Sequence, residues 1–269
     1  MPFGSDLMTD TLLQDIDARG VVTVTLNRPE LHNAFDDALI AEMTHVLATL
    51  GADPAVRAVV LRGHGKSFSA GADLDWMRRM AGYTRAQNQK DAEGLARLMH
   101  TLDRLPKPVI GVVQGAAYGG GVGLVAACDI AVASTKASFC LSEVKLGLIP
   151  AAISPYVVAA IGARQARRYF MTAEIISAAR AREIGLVHEV VAPDEIETTL
   201  AAVLDAVFQG APAAQAEAKD LVFLVDGAPV DQALIVETAR RIAERRVSVE
   251  GRDGVGAFLA KRRPVWQKA

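Results

Sequence analysis

Cysteine is scarce in this sequence. The two present, Cys128 and Cys140, form no C-x-x-C pair and have no histidine cluster beside them, which excludes a disulfide framework and a thiolate zinc site. Both read as small buried apolar residues. Histidine supplies no alternative centre: His32, His45, His64, His100 and His188 are scattered without ligand spacing, so no metal is expected. An excess of one charge is also missing. With 29 basic and 31 acidic side chains mixed along the chain, the formal charge is −2, and no field favours nucleic acid or an anionic membrane as a partner. The opening MPFGSDLMTDTLLQD carries acids where an export signal needs a positive region and a continuous apolar stretch, so a cytoplasmic location is expected. The longest apolar run, residues 109–133, is broken by glycines and carries Asp129, which reads as buried strand and tight turn rather than a membrane span.

What is present is enough apolar material, 51% of 269 residues, for a sizeable core. LLQDI and VVTVTLNRP read as a hairpin joined by Ala18, Arg19 and Gly20 and closed by Pro29. Phe35, Leu39, Met43, Val46 and Leu50 recur at helical spacing over residues 35–50, and the strand AVVLRG follows. A glycine- and serine-rich loop at 63–71 precedes helices expected at 73–80 and 85–105, the second stopped by Pro106 and Pro108. VIGVV, a further helix and the strand IAVAS complete an alternation that implies right-handed crossovers and a parallel sheet covered by helices. Beyond Arg164 only GLVHEVV reads as strand. The expected division is a core over residues 1–193 and a helical region over 194–269, which reads as a cap or an oligomerisation element.

Two glycine-rich loops end predicted buried strands and run straight into helices, the position where open α/β folds bind ligands. In the first, Phe68 to Leu74, small residues allow close backbone approach and Asp73 can cap the next helix. In the second, Gly119, Gly120 and Gly121 strip a helix start of side chains and leave bare N–H groups. The glycines also suit tight packing of helix on sheet. A nucleotide-phosphate cradle is disfavoured, because neither G-x-x-x-x-G-K-[ST] nor G-x-G-x-x-G with a following ribose-binding acid is present.

In order and spacing, FSAGADLDWM, GAAYGGGVGL, CDIAVAS and SFCLSEVKLGLIP resemble the enoyl-CoA hydratase/isomerase (crotonase) family. The likeness runs from LNRPELHNAF to YFMTAEIISAARAREIGLVHEVV and so covers nearly the whole chain. It implies a spiral of ββα units with two roughly perpendicular sheets, a C-terminal α-helical region, and assembly as a homotrimer or a dimer of trimers. It implies an acyl-CoA thioester substrate, with coenzyme A part of the substrate and no separate cofactor. Carried over residue by residue, the N–H groups of Ala72 and Gly120 become the oxyanion donors, and Ala34, Ala70, Asp73 and Leu74 line the adenine and pantetheine path. Arg28, Lys261, Arg262 and Arg263 are candidates for the coenzyme phosphates.

The family's best-known hydratases use two glutamates, and the one expected three residues after the middle glycine is absent: Gly123 stands there. The other falls at Glu143, where an apolar setting should raise its pKa and suit it to acid/base work near neutrality. A single carboxylate is compatible with hydration of a 2-enoyl-CoA and also with isomerisation of a 3-enoyl-CoA. Retention of Glu143 speaks against a third reading, a non-catalytic acyl-CoA binder. The strings AGADLDWMRRMAGYT and SEVKLGLIPAAISPYVV resemble in particular the bacterial branch that hydrates methylglutaconyl-CoA, which implies hydration of a short, branched or carboxylated substrate. A distal carboxylate calls for a cation in the pocket. Lys145, Arg78, Arg79 and Lys90 are the candidates, while Trp76 and Tyr118 are candidates for the tunnel wall or for core packing.

Overall fold

The structure, a computed structural model, describes residues 10–267; the opening stretch up to residue 9, read above for an export signal, lies outside them. The chain divides into two compact units, Met1–Leu105 with Val109–Ala201, and Pro106–Pro108 with Ala202–Ala269.

The first unit opens on the expected hairpin, β1 (Leu12–Ile16) against β2 (Val21–Leu26), with Leu12 opposite Leu26. Gly20 makes the turn at φ 85°, and a Cβ there would lie 2.4 Å from the Ala55 carbonyl oxygen, so no other residue fits. Helix α1 (Asp37–Ala52) starts two residues later than its apolar periodicity suggested. The cause is local: Asp36 caps it by accepting the Leu39 N–H at 2.9 Å, and the Phe35 backbone is engaged elsewhere. Its buried face, Leu39, Ile40, Met43, Val46, Leu47 and Leu50, packs into the main core. Each such fully buried Leu or Ile contributes about 1.5–3 kcal/mol.

From there the chain winds as a spiral: β3 (Ala58–Gly63), β4 (Ser67–Ser69), α2 (Leu74–Met80), α3 (Arg85–Asp103); β5 (Val109–Val113), β6 (Ala116–Tyr118), α4 (Gly120–Ala126); β7 (Ile130–Ser134), β8 (Ser138–Cys140), α5 (Ser154–Thr172). The run at 109–133 is thus two short strands, a helix and a third strand, and no helix among the described residues is long and apolar enough to cross a membrane. Then come β9 (Ile176–Ser177), α6 (Ala178–Glu183), β10 (Glu189–Val191) and α7 (Ile196–Gln209), which runs on into the second unit.

Each turn lays its first strand in a six-stranded sheet, ordered β1-β2-β3-β5-β7-β10, and its second in a four-stranded sheet, ordered β4-β6-β8-β9. Within the small sheet β4, β6 and β8 are parallel neighbours, and β9 runs antiparallel to β8. This arrangement places the site. The segments that follow β4, β6 and β8 leave the same end of three adjacent strands, so the loops bearing Ala72, Gly120 and Glu143 meet although up to 71 positions separate them in the chain.

The second unit consists of the end of α7 with α8 (Pro212–Val225), α9 (Gln232–Val247) and α10 (Val249–Leu259). Glu250 accepts the Ala213 and Ala214 N–H groups at 3.0 Å each, capping α8 from the start of α10. Arg245 of α9 pairs with Glu217 and with Glu250. Much apolar surface stays open on this unit: Phe258 is 83% and Leu259 75% exposed.

Candidate active site

The first loop is fixed from both sides by backbone bonds. Phe35 donates its N–H to the Gly71 carbonyl at 2.8 Å, and Asp73 donates to the Phe35 carbonyl at 3.0 Å, which leaves Ala72 held between them. Gly71 has φ 87°; a Cβ there would lie 2.7 Å from the Tyr118 carbonyl oxygen and 3.4 Å from the Gly120 nitrogen. That close approach brings the two glycine-rich loops together. Among the described residues no backbone carbonyl accepts from the N–H of Ala72 or of Gly120. Two donors from adjacent turns therefore remain available beside one cavity, and Ala72 and Gly120 both line it.

The cavity has a volume of about 300 Å3 and is mainly apolar, with Phe35, Trp76, Met77 and Leu95 inside and Leu146, Leu148 and Ile149 at its rim. Glu143 opens the short 3-10 turn Glu143–Leu146, whose chain reverses at Gly147. A Cβ built on Gly119 would lie 3.5 Å from Glu143 Oε1, so the carboxylate rests against the triple-glycine turn. Its Oε2 is buried with no hydrogen-bond partner. Burial pushes the Glu143 carboxyl above its usual value, and a bond from its own backbone N–H offsets this only in part. A buried acceptor left unpaired is costly unless a substrate or water completes it.

The missing second carboxylate has a structural explanation. A Cβ at Gly123 would fall 2.2 Å from Ile153 Cγ2 and 3.2 Å from Met99 Sδ. The space a side chain would occupy there is filled by Ile153, which is 2% exposed and forms part of the cavity wall. Sequence alone showed the vacancy but not the residue that fills it.

The other sequence-predicted residues separate by position. Ala70 lines the cavity; Ala34, Asp73 and Leu74 do not. Ala34 is buried, with its carbonyl accepting from Arg28, and Leu74 is 66% exposed. Asp73 caps α2, accepting the Asp75 and Trp76 N–H groups, and pairs with Arg28 at 3.1 Å. Burial alone would raise its pKa, but those N–H bonds and the Arg28 charge outweigh it and hold the carboxyl below its usual value. Arg28 also pairs with Asp36 and is largely enclosed, so its guanidinium ties the entry segment to the first loop rather than standing open to a phosphate. Arg262 is turned to Asp253.

The cations proposed for a distal carboxylate are placed elsewhere too. Arg78 pairs with Asp75 and Arg79 with Asp37 on the surface, Lys90 and Lys145 are exposed, and none of the four lines the cavity. Trp76 does line it, with its ring 3% exposed, while Tyr118 does not; the Tyr118 hydroxyl lies 3.3 Å from Ser138 Oγ. Sequence reasoning missed Asp91, on the exposed-looking helix α3, which accepts the Trp76 indole N–H at 3.0 Å and shares the cavity.

Comparison with known proteins matches residues 17–269 to the family described as enoyl-CoA hydratase/isomerase. The crystal structure of an enoyl-CoA hydratase from Shewanella pealeana superposes with a TM-score of 0.92 at 45% identity, covering 95% of this chain and 96% of that one. The short-chain-enoyl-CoA hydratase of Clostridium acetobutylicum is 34% identical over 245 residues, 90% of this chain and 92% of that protein. The trans-2-decenoyl-[acyl-carrier-protein] isomerase of Streptococcus mutans is 31% identical over 257 residues, 94% of this chain and 96% of that protein.

Proposed function

The chain belongs to the enoyl-CoA hydratase/isomerase family, and on that premise we propose that it adds water across the 2,3 double bond of a short or branched, uncharged 2-enoyl-CoA. The observation that carries this reading is the meeting, in one apolar cavity, of two unused main-chain N–H groups with a buried carboxylate whose Oε2 lacks a partner.

The thioester oxygen sits between the N–H groups of Ala72 and Gly120. Glu143 takes a proton from water as the oxygen of that water bonds to C3. The electron pair of the double bond moves through C2 onto the thioester oxygen, where the two donors stabilise the enolate. Collapse of the enolate then draws the proton from Glu143 onto C2. One carboxylate completes the cycle, and the sum is the addition of one water. Coenzyme A enters only as part of the substrate.

Ser142 and Glu143 give the cavity polar partners for the attacking water. The volume suits a short acyl group. Sequence resemblance to the methylglutaconyl-hydrating branch extends the range to a carboxylated tail, but no Lys or Arg among the described residues lines the cavity to receive one, which is why the proposed acyl group is uncharged.

The same donors and the same single carboxylate also suit a 3-enoyl to 2-enoyl isomerase, the activity in the name of the Streptococcus relative. Crotonyl-CoA, 3-methylcrotonyl-CoA and 3-hexenoyl-CoA separate the two readings. Loss of conjugated enoyl-thioester absorbance with the first two is the expected result; gain of absorbance with the third alone would favour the isomerase.

For the assembly we propose a homotrimer or a dimer of trimers. Support comes from the open apolar side chains of the second unit, including Ile235, Val236, Phe258 and Leu259, an extent of exposure typical of association surfaces. Light scattering should return three or six times the chain mass of 28.5 kDa, and a monomer would contradict the proposal.

A further inference from the structure

Among the described residues, one ionisable side chain besides Glu143 lines the cavity, and the reaction just described does not use it. Asp91 stands on α3, and Trp76 of α2 donates its indole N–H to Asp91 Oδ1 at 3.0 Å. Because Trp76 is 3% exposed, the donor is held in place by packing, and it fixes the orientation of the carboxylate. It does not neutralise it. No Lys or Arg among the described residues forms an ion pair with Asp91, and the nearby cations of α2 are turned to Asp75 and Asp37. The surrounding wall, Met77, Met80, Ala92 and Leu95, is apolar. A negative charge is thus built into the α2–α3 side of an apolar acyl pocket.

We propose that Asp91 is a specificity-determining residue. It repels an acyl tail that ends in a carboxylate, and it accepts a hydrogen bond from a tail that ends in a hydroxyl. Two like charges in one pocket of low polarity interact unfavourably by Coulomb's law, and a further acid, Glu143, shares the cavity. A hydroxyl, in contrast, gains a charge-assisted bond to the carboxylate. The inference rests on the reading of this cavity as an acyl-CoA site, but it does not depend on which reaction occurs there.

The test uses saturated thioesters of equal chain length, which bind without turnover: pentanoyl-CoA, 5-hydroxypentanoyl-CoA and glutaryl-CoA, titrated calorimetrically into the full-length protein and into Asp91→Asn. Asparagine keeps an acceptor for the Trp76 indole and removes only the charge. The wild type should bind glutaryl-CoA on the order of tenfold or more weaker than pentanoyl-CoA. The hydroxylated thioester should bind at least as well as pentanoyl-CoA. In Asp91→Asn the glutaryl penalty relative to pentanoyl-CoA should shrink to within about threefold. Asp91→Ala supplies a second variant should the amide refold the pocket, and the same change of ratio is expected. Equal binding of glutaryl- and pentanoyl-CoA by the wild type, or a ratio unmoved in both variants, overturns the proposal. Tight, selective binding together with failure to hydrate any enoyl-CoA would sink the proposed reaction and leave this inference standing. If none of the three thioesters bound, both would fall.

Discussion

Glu143→Gln should lower the rate of hydration of a 2-enoyl-CoA by on the order of 10²–10⁴-fold, the range by which a positioned acid/base accelerates proton transfer. Glutamine matches the size of glutamate and can sit in the same turn, but it can neither take a proton from water nor return one to C2. Ile153 fills the place at Gly123 where a second carboxylate would stand, and the other acid among the described residues of the lining, Asp91, lies on the α2–α3 wall. Binding of a saturated acyl-CoA should survive the change, which separates lost chemistry from lost fold. Full activity in the variant would remove Glu143 from the mechanism.

The same variant carries a stability signature of opposite sign. Burial raises the folded-state pKa of Glu143 above its usual 4.5, so the folded protein holds that proton more tightly than the unfolded chain does. The linked contribution is fully favourable below the unfolded value and is lost as pH rises through the raised folded value. Glutamine never ionises and never suffers that loss. Glu143→Gln should therefore melt higher than wild type at neutral pH, with the gap closing as pH falls towards 4.5. The acid limb of kcat/KM in the wild type should correspondingly lie above the ordinary glutamate range. A variant less stable than wild type at neutral pH would contradict the burial argument.

Gly120→Ala is expected to reduce kcat/KM by on the order of 10²-fold, comparable to the loss of one oxyanion donor. The alanine keeps its N–H. The harm comes from the added methyl group, which would fall 2.3 Å from Phe35 Cζ, and its three nearest atoms all belong to that one ring. Phe35 is 1% exposed and cannot turn away, so the turn must move and take its N–H out of line with that of Ala72. Shortening the obstacle, in the pair Gly120→Ala with Phe35→Leu, should restore much of the activity even though Phe35→Leu alone leaves a small cavity that lowers the melting temperature. Wild-type rates in the single variant would show that placement of the Gly120 N–H is not critical. A double variant as slow as the single would assign the loss to something other than the contact with Phe35.

The fold was legible where segments are long enough to show a period. The hairpin, the strand AVVLRG, the helices flanking the first loop and the strands VIGVV and IAVAS all stand where their patterns place them. The small sheet was not visible to that reading. Its strands, SFS, AAY, SFC and IS, are two or three residues long, too short for alternation to register, and the first lies inside a stretch that reads as a serine-rich loop. Only the family resemblance supplied the second sheet. This matters for the site, because the adjacency of β4, β6 and β8 is what brings Ala72, Gly120 and Glu143 together.

Side-chain chemistry was legible unevenly. The glycine turns and Glu143 are conspicuous as motifs. Asp91 is not, since it lies among Gln89, Lys90 and Glu93 on a helix whose polar residues look like a solvated face, and only the turn of Trp76 across the α2–α3 wall gives it a place in the cavity. Asp73 and Arg28 show a role that motif reading does not reveal. The family resemblance implied contact with coenzyme A for both, and their bonds to each other and to the backbone also make them a brace that shapes the first loop.

The central claim, hydration by one carboxylate beneath two main-chain donors, is tested most directly by turnover of crotonyl-CoA in ¹⁸O-labelled water with mass analysis of the product. The wild type should form a 3-hydroxyacyl-CoA carrying one labelled oxygen, and Glu143→Gln should lose it. Conversion of 3-hexenoyl-CoA to its 2-enoyl isomer with no label taken up, and no reaction of crotonyl-CoA, would contradict that claim.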